Sequence, residues 1–98
     1  MIVTVIKEPK AMTRPQWIPT LLLAIDRHWN CNGSSVCEDN INAMKDWILS
    51  QPYYLRKCKY SLAAIVRVES VIEDGTAHLH ILRLNSDNPL ITLRITEK

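Results

Sequence analysis

The dipeptide Asp74-Gly75 is the strongest local constraint in this chain, because a segment rich in β-branched residues lies on either side of it. Aspartate followed by glycine suits the two-residue turn of a β-hairpin, in which both central residues take positive φ. We therefore predict strands within Tyr60–Glu73 and Thr76–Leu84. A two-residue turn also sets the register of the pair, so that Val68 faces Ile81.

Two further strands are predicted, one near each end of the chain. β-branched residues alternate from Ile2 to Lys7, and a proline and charges then end the pattern. A turn over Asn85–Pro89 precedes a segment in which Ile91, Leu93 and Ile95 alternate with polar residues. Alternation of this kind indicates strands with one buried face.

A first helix is predicted between Trp17 and Trp29. Its apolar face is formed by residues spaced three and four apart: Trp17, Ile18, Leu21, Leu22, Ile25, His28 and Trp29. A start at Thr13 would place Pro19 inside the helix, where proline removes a backbone donor and clashes with the preceding turn. A start near Trp17 places Pro19 in the first turn, where its missing N–H has no intrahelical acceptor to lose.

A second helix is predicted after the turn around Gly33. Ser35 and Glu38 have the spacing of a capping box, in which each side chain bonds the backbone N–H of the other residue. The apolar stripe that follows is Cys37, Ile41, Met44 and Ile48, with Trp47 beside it, and Pro52 stops the helix. We expect Cys37 to be a buried free cysteine of this stripe.

These elements define an α+β fold in the order β-α-α-β-β-β, a helical hairpin packed on a mainly antiparallel sheet. The 98 residues have the size of one domain, and we expect a single domain over residues 1–98. Apolar residues make up 47% of the chain, which is sufficient for one core. No linker or repeat divides the sequence.

The cysteines and the first residues favour a cytoplasmic protein. Cys31, Cys37 and Cys58 are odd in number, whereas small secreted domains usually carry paired cysteines. The chain begins with apolar residues and becomes charged at Lys7, the reverse of a secretory leader. The longest apolar run, Leu21–Ile25, is too short to cross a bilayer, so we expect no membrane contact.

No motif in the sequence indicates catalysis, a cofactor or a metal. His78 and His80 share one face of a strand, but no spacing supplies further ligands, and we interpret both as surface residues. His28 and the three cysteines lack the paired spacing of a zinc site. Two glycines in the whole chain are too few for a phosphate-binding loop. We therefore predict a protein that is not an enzyme.

The candidate partner-binding residues lie between the second helix and the hairpin, where aromatic and basic side chains alternate: Tyr53, Tyr54, Arg56, Lys57 and Lys59. This composition suits contact with a protein surface or with phosphate groups. The alternative is that the tyrosines pack at the helix end while the cations are solvated. An exposed strand edge is a second candidate for contact.

Specific recognition of nucleic acid is not supported by the same elements. The second helix exposes Glu38, Asp39 and Asp46 against one cation, Lys45, which does not suit the major groove. The net charge of +2 creates no strong field. Direct contact with nucleic acid would be non-specific and secondary.

The size, the cytoplasmic character, the three tryptophans and the lack of catalytic motifs resemble small accessory proteins of bacterial viruses that switch off host enzymes. Within that group the chain is similar in length to the phage anti-RecBCD proteins. The resemblance covers length and general character, and it transfers no functional residue. It implies a non-enzymatic modulator that binds a larger host protein, such as the recombination nuclease RecBCD. The alternative is a small non-specific nucleic-acid-binding protein that uses residues 53–59.

Overall fold

The computed structural model describes residues 1–10, 17–30, 33, 35–50, 65–83 and 87–97. The elements, in chain order, are β1 (Ile2–Lys7), α1 (Trp17–Trp29), α2 (Glu38–Leu49), β2 (Ile65–Glu73), β3 (Thr76–Arg83) and β4 (Ile91–Thr96). The predicted α+β class and the order β-α-α-β-β-β are therefore confirmed. Residues 60–64 and 84 of the predicted hairpin strands lie outside the described residues.

The four strands form one antiparallel sheet in the spatial order β1-β4-β3-β2. β2, β3 and β4 follow one another as a meander, and the first strand of the chain pairs with the last, with Ile2 opposite Thr96. Within the described residues, β1 and β2 are thus the two edge strands of the sheet. β3 and β4 occupy its centre.

The hairpin between β2 and β3 has the predicted turn and the predicted register. Asp74 has φ 53° and Gly75 has φ 75°, which is the left-handed backbone that an Asp-Gly turn requires. Val68 lies opposite Ile81. The register shifts between Ile65 and Arg67, at the far end of the hairpin from the turn.

The core lies between one face of the sheet and the two helices. Alternate residues of the central strands are fully buried on this face: Ala77, Leu79, Ile81, Ile91, Leu93 and Ile95. The helices contribute Ile18, Leu21, Ile25, Trp29, Ile41, Met44 and Ile48 to the same cluster. Helix α1 packs on the β1 side of the sheet and α2 on the β2 side. The apolar residues recur every two positions in the strands and every three to four positions in the helices, so they lie on the facing sides of the sheet and the helices.

Helix α1 begins at Trp17, as predicted, with Pro19 in its first turn. Its apolar stripe is confirmed at Ile18, Leu21 and Ile25, which are buried. The prediction for His28 is wrong, because this side chain is exposed. His28 lies at the border of the stripe, where its ring stacks on Trp47 of α2 with centroids 4.9 Å apart.

Helix α2 begins later than the capping box predicted. Its N-cap is Cys37, in an extended conformation and without a side-chain cap hydrogen bond, so the prediction of a Ser35 cap is wrong. The Val36 N–H donates instead to Oε1 of Glu97 at 3.1 Å, which ties this segment to the end of β4. Cys37 is exposed, and the expectation that it is buried is wrong as well.

The last turns of the two helices meet in an aromatic cluster. The predicted helical hairpin did not specify this contact. Trp29 of α1 lies edge-on to Trp47 of α2, with ring centroids 6.1 Å apart. His28 completes the cluster, edge-on to Trp29 at 5.0 Å. The helices contain 13 and 12 residues, and none in the described part of the chain is long and apolar enough to cross a membrane.

The outer edge of β1 is closed at Val3 by the side chain of Asn30, which directly follows α1. Its Oδ1 accepts the Val3 N–H at 2.5 Å, and its Nδ2 donates to the Val3 carbonyl oxygen at 3.4 Å and to the Asp26 carboxylate. The Asn30 amide thus takes the place of a peptide group of a neighbouring strand. The bond also fixes the end of α1 to the sheet.

Candidate partner-binding groove

The residues predicted to bind a partner are not placed by the structure. Tyr53, Tyr54, Arg56, Lys57 and Lys59 all lie outside the described residues. Their role stays a prediction. The second candidate from the sequence, an exposed strand edge, falls within the described part of the chain.

A groove of about 350 Å³ lies between α2 and the edge strand β2. It is lined by Glu38, Asn42 and Lys45 from the helix and by Ser70 and Ile72 from the strand. The three helical residues are spaced four and three apart, so they share the helix side next to the buried stripe. The two strand residues are spaced two apart and share one face of the sheet. One helix wall and one strand edge therefore enclose the groove.

At the residues that line this groove, the backbone of β2 directs hydrogen-bonding groups sideways, away from β3. In a two-residue hairpin the residues next to the turn, here Glu73 and Thr76, exchange hydrogen bonds, and the pattern then alternates along the strand. Ser70 and Ile72 consequently direct their N–H and C=O groups away from β3. Within the described residues no strand pairs with this edge.

Helix α2 runs antiparallel to β2. The Lys45 ammonium lies 3.3 Å from the Ser70 Oγ and donates a hydrogen bond to it. The bond from Val36 to Glu97 places the start of α2 at the other end of the groove, because Thr96 pairs with Thr76 beside the hairpin turn. Glu38 therefore lies toward Ile72, and Lys45 lies toward Ser70.

The two edge strands differ in how they are protected. On β2, Val71 is 57% exposed and Ile72 is 39% exposed, and the segment from 68 to 72 holds neither proline nor lysine. On β1, Asn30 closes the edge at Val3, the pairing is irregular after Val5, and Lys7 ends the strand. Irregular pairing and lysine are common means by which proteins prevent pairing at an edge. Both edges expose apolar side chains, including Ile2 and Ile6 on β1, so the difference lies in the backbone. Within the described residues, no side chain closes the edge of β2 as Asn30 closes that of β1.

The histidines of β3 lie on the sheet face opposite the helices. His80 Nδ1 lies 3.1 Å from the Thr92 hydroxyl oxygen. Glu69 faces His80 in the predicted register, and its carboxylate lies 3.6 Å from Arg67 Nε. Among the described residues, no three histidine, cysteine or acidic side chains are grouped so that they could hold a metal ion.

No protein-family model, curated protein or solved structure matches this chain. The resemblance to phage inhibitors therefore stays a prediction. The sequence patterns did not single out the residues that line the groove. The sequence predicts Glu38 as part of a capping box and of an exposed helix surface, Lys45 as part of that surface, and Ser70 and Ile72 as strand residues.

Proposed function

We propose that this protein is a non-enzymatic protein-binding module that accepts an extended segment of a partner along the outer edge of β2. The observation that supports this function is the set of outward peptide groups at Ser70 and Ile72, which lie in the groove beside α2. A strand added at such an edge gains affinity from main-chain hydrogen bonds. The groove beside it then provides side-chain selectivity.

The exposed apolar residues of β2 support the same function. Val71 and Ile72 are neighbours in sequence and therefore point to opposite faces of the sheet. An added strand would cover part of both side chains, and burial of apolar surface contributes about 25 cal/mol per Å². This edge thus combines apolar area with backbone groups that have no partner among the described residues, as expected of a binding surface.

Replacing Ser70 by proline tests the edge directly. The Ser70 N–H points sideways, away from β3, so proline at this position removes no hydrogen bond to β3. An added strand, however, would lose the backbone donor that Ser70 provides. Proteins captured from bacterial lysate by the wild-type chain should be retained at least about ten-fold less by Ser70→Pro, because one lost backbone hydrogen bond and a blocked edge together exceed about 1.4 kcal/mol. Quantitative mass spectrometry of the captured proteins measures the ratio.

Val5→Pro is the matched control, because it places the same residue at an outward position of the opposite edge. It should leave capture unchanged. Circular dichroism verifies that both variants are folded, and Ile72→Lys, which adds a charge to the edge, replaces Ser70→Pro if that variant unfolds. Equal capture by wild type, Ser70→Pro and Ile72→Lys would contradict strand addition at β2.

The partner proposed from the resemblance is a larger host enzyme, with the recombination nuclease RecBCD as the first example. This protein would then act as an inhibitor or modifier in the bacterial cytoplasm. Titration of the purified chain into purified RecBCD should lower the rate of DNA degradation, and Ser70→Pro should restore it. Unchanged degradation at saturating protein would exclude this partner and leave the strand-addition proposal to be judged by the capture experiment.

A further inference from the structure

The groove has opposite charges near its two ends. Glu38 lies near the Ile72 end, and Lys45 lies at the Ser70 end. The two residues are seven positions apart on the helix, which corresponds to about 10 Å along the helix axis. That distance equals roughly three residues of an extended chain. A short bound segment can therefore reach both charges at once.

Both charged side chains have hydrogen-bonding capacity left for a ligand. The Lys45 ammonium has three hydrogens, and the Ser70 hydroxyl accepts one of them. Glu38 forms no ion pair with any described residue. Asn42 lies between them along the helix wall, and its amide makes no hydrogen bond within the described part of the chain.

The direction of an added strand follows from the direction of α2. Antiparallel pairs are somewhat more stable per residue than parallel pairs and are more common. A strand antiparallel to β2 runs in the same direction as α2, because α2 is itself antiparallel to β2. The amino-terminal part of the segment then lies beside Glu38, and its carboxy-terminal part lies beside Lys45.

We infer that the segment bound in this groove is an antiparallel strand that carries a basic residue followed, on the same strand face, by an aspartate or glutamate. The inference rests on the proposed function, and it adds the direction and the charge order of the partner segment. The basic side chain pairs with Glu38 and the acidic side chain pairs with Lys45. The reverse charge order would bring like charges together at both ends of the groove.

Selection from a random displayed-peptide library against the immobilised wild-type chain tests the charge order. We expect the enriched peptides to place a basic residue two or four positions before an acidic residue, because only even spacings keep both side chains on one strand face. The double variant Glu38→Lys/Lys45→Glu keeps the same charges at exchanged positions and should enrich the opposite order. Lys7→Glu, at the other edge of the sheet, is the control and should enrich the same peptides as the wild type.

Two synthetic peptides make the test quantitative, one from the enriched set and one with its two charges exchanged. The wild-type chain should bind the first peptide about ten-fold more tightly than the second, because exchanging the charges turns two partly exposed attractive pairs into repulsive ones. The double variant should invert that ratio. Enrichment without charge order, or an unchanged ratio in the double variant, would overturn this inference alone. A failure of the folded wild-type chain to enrich any peptide would overturn strand addition itself.

Discussion

Leu79→Ala should lower the free energy of unfolding by about 3 to 4 kcal/mol, because it opens a cavity where the protein has no solvent contact. Leu79 is fully buried on β3, a central strand, and points toward the helices. A domain of this size has a free energy of unfolding of roughly 5 to 15 kcal/mol, so the expected loss is a large fraction of that free energy. Urea unfolding followed by circular dichroism measures the change.

Leu23→Ala is the matched control for this prediction. Leu23 lies on α1 and is 50% exposed, so the same truncation leaves no enclosed cavity. Its cost should stay below about 1 kcal/mol, because alanine is also the better helix former. Equal losses in the two variants would mean that β3 does not form the centre of the core.

Trp29→Ala should have an effect of similar size, about 3 to 5 kcal/mol. Trp29 is 7% exposed and joins the last turn of α1 to the last turn of α2 through its contact with Trp47. Its loss removes the buried ring and the Trp29–Trp47 contact, and leaves His28 on Trp47 as the remaining aromatic contact between the two helices. The midpoint of urea unfolding should fall accordingly.

Trp29→Phe separates packing from hydrogen bonding at the same position. The Trp29 Nε1 is buried and makes no hydrogen bond with the described part of the chain, so phenylalanine removes no polar partner there. We expect a loss of less than about 2 kcal/mol, well below that of alanine. If phenylalanine and alanine destabilise the protein equally, the aromatic packing described above does not hold the helices together.

The proposed function depends on a contrast between the two edge strands. Asn30 binds the backbone of β1 at Val3, whereas the outward groups of β2 lie beside a charged groove. A protein that only had to avoid aggregation would be expected to protect both edges. Within the described residues only β1 is closed by a side chain, and the proposed strand addition uses the other edge.

Local chemistry explains why several elements could be predicted from the sequence. The Asp74-Gly75 turn depends on the backbone preferences of two adjacent residues, and it set both the hairpin and its register. The start of α1 depends on the position of Pro19 relative to the first turn. The strands β1 and β4 follow from alternation over a few residues. None of these features requires a distant contact.

The errors near the helix ends have a different cause. Ser35 has the correct spacing for a cap, but the helix begins at Glu38. The Val36 N–H binds Glu97, which lies 61 positions after Val36. His28 has the correct spacing for the buried stripe, but it lies at the stripe's border and stacks on Trp47. A local sequence pattern contains no information about partners that lie far away in the chain.

The sequence by itself determined the order of strands and helices and most of the residues that form the core, because hydrophobic periodicity and turn chemistry act over a few neighbouring positions. Only the tertiary structure decided which strand became an open edge and what lies beside it. Lys45 and Ser70 are 25 positions apart, and they meet because α2 packs on the β2 side of the sheet. The candidate groove exists only through that packing, so no pattern along the chain could have indicated it.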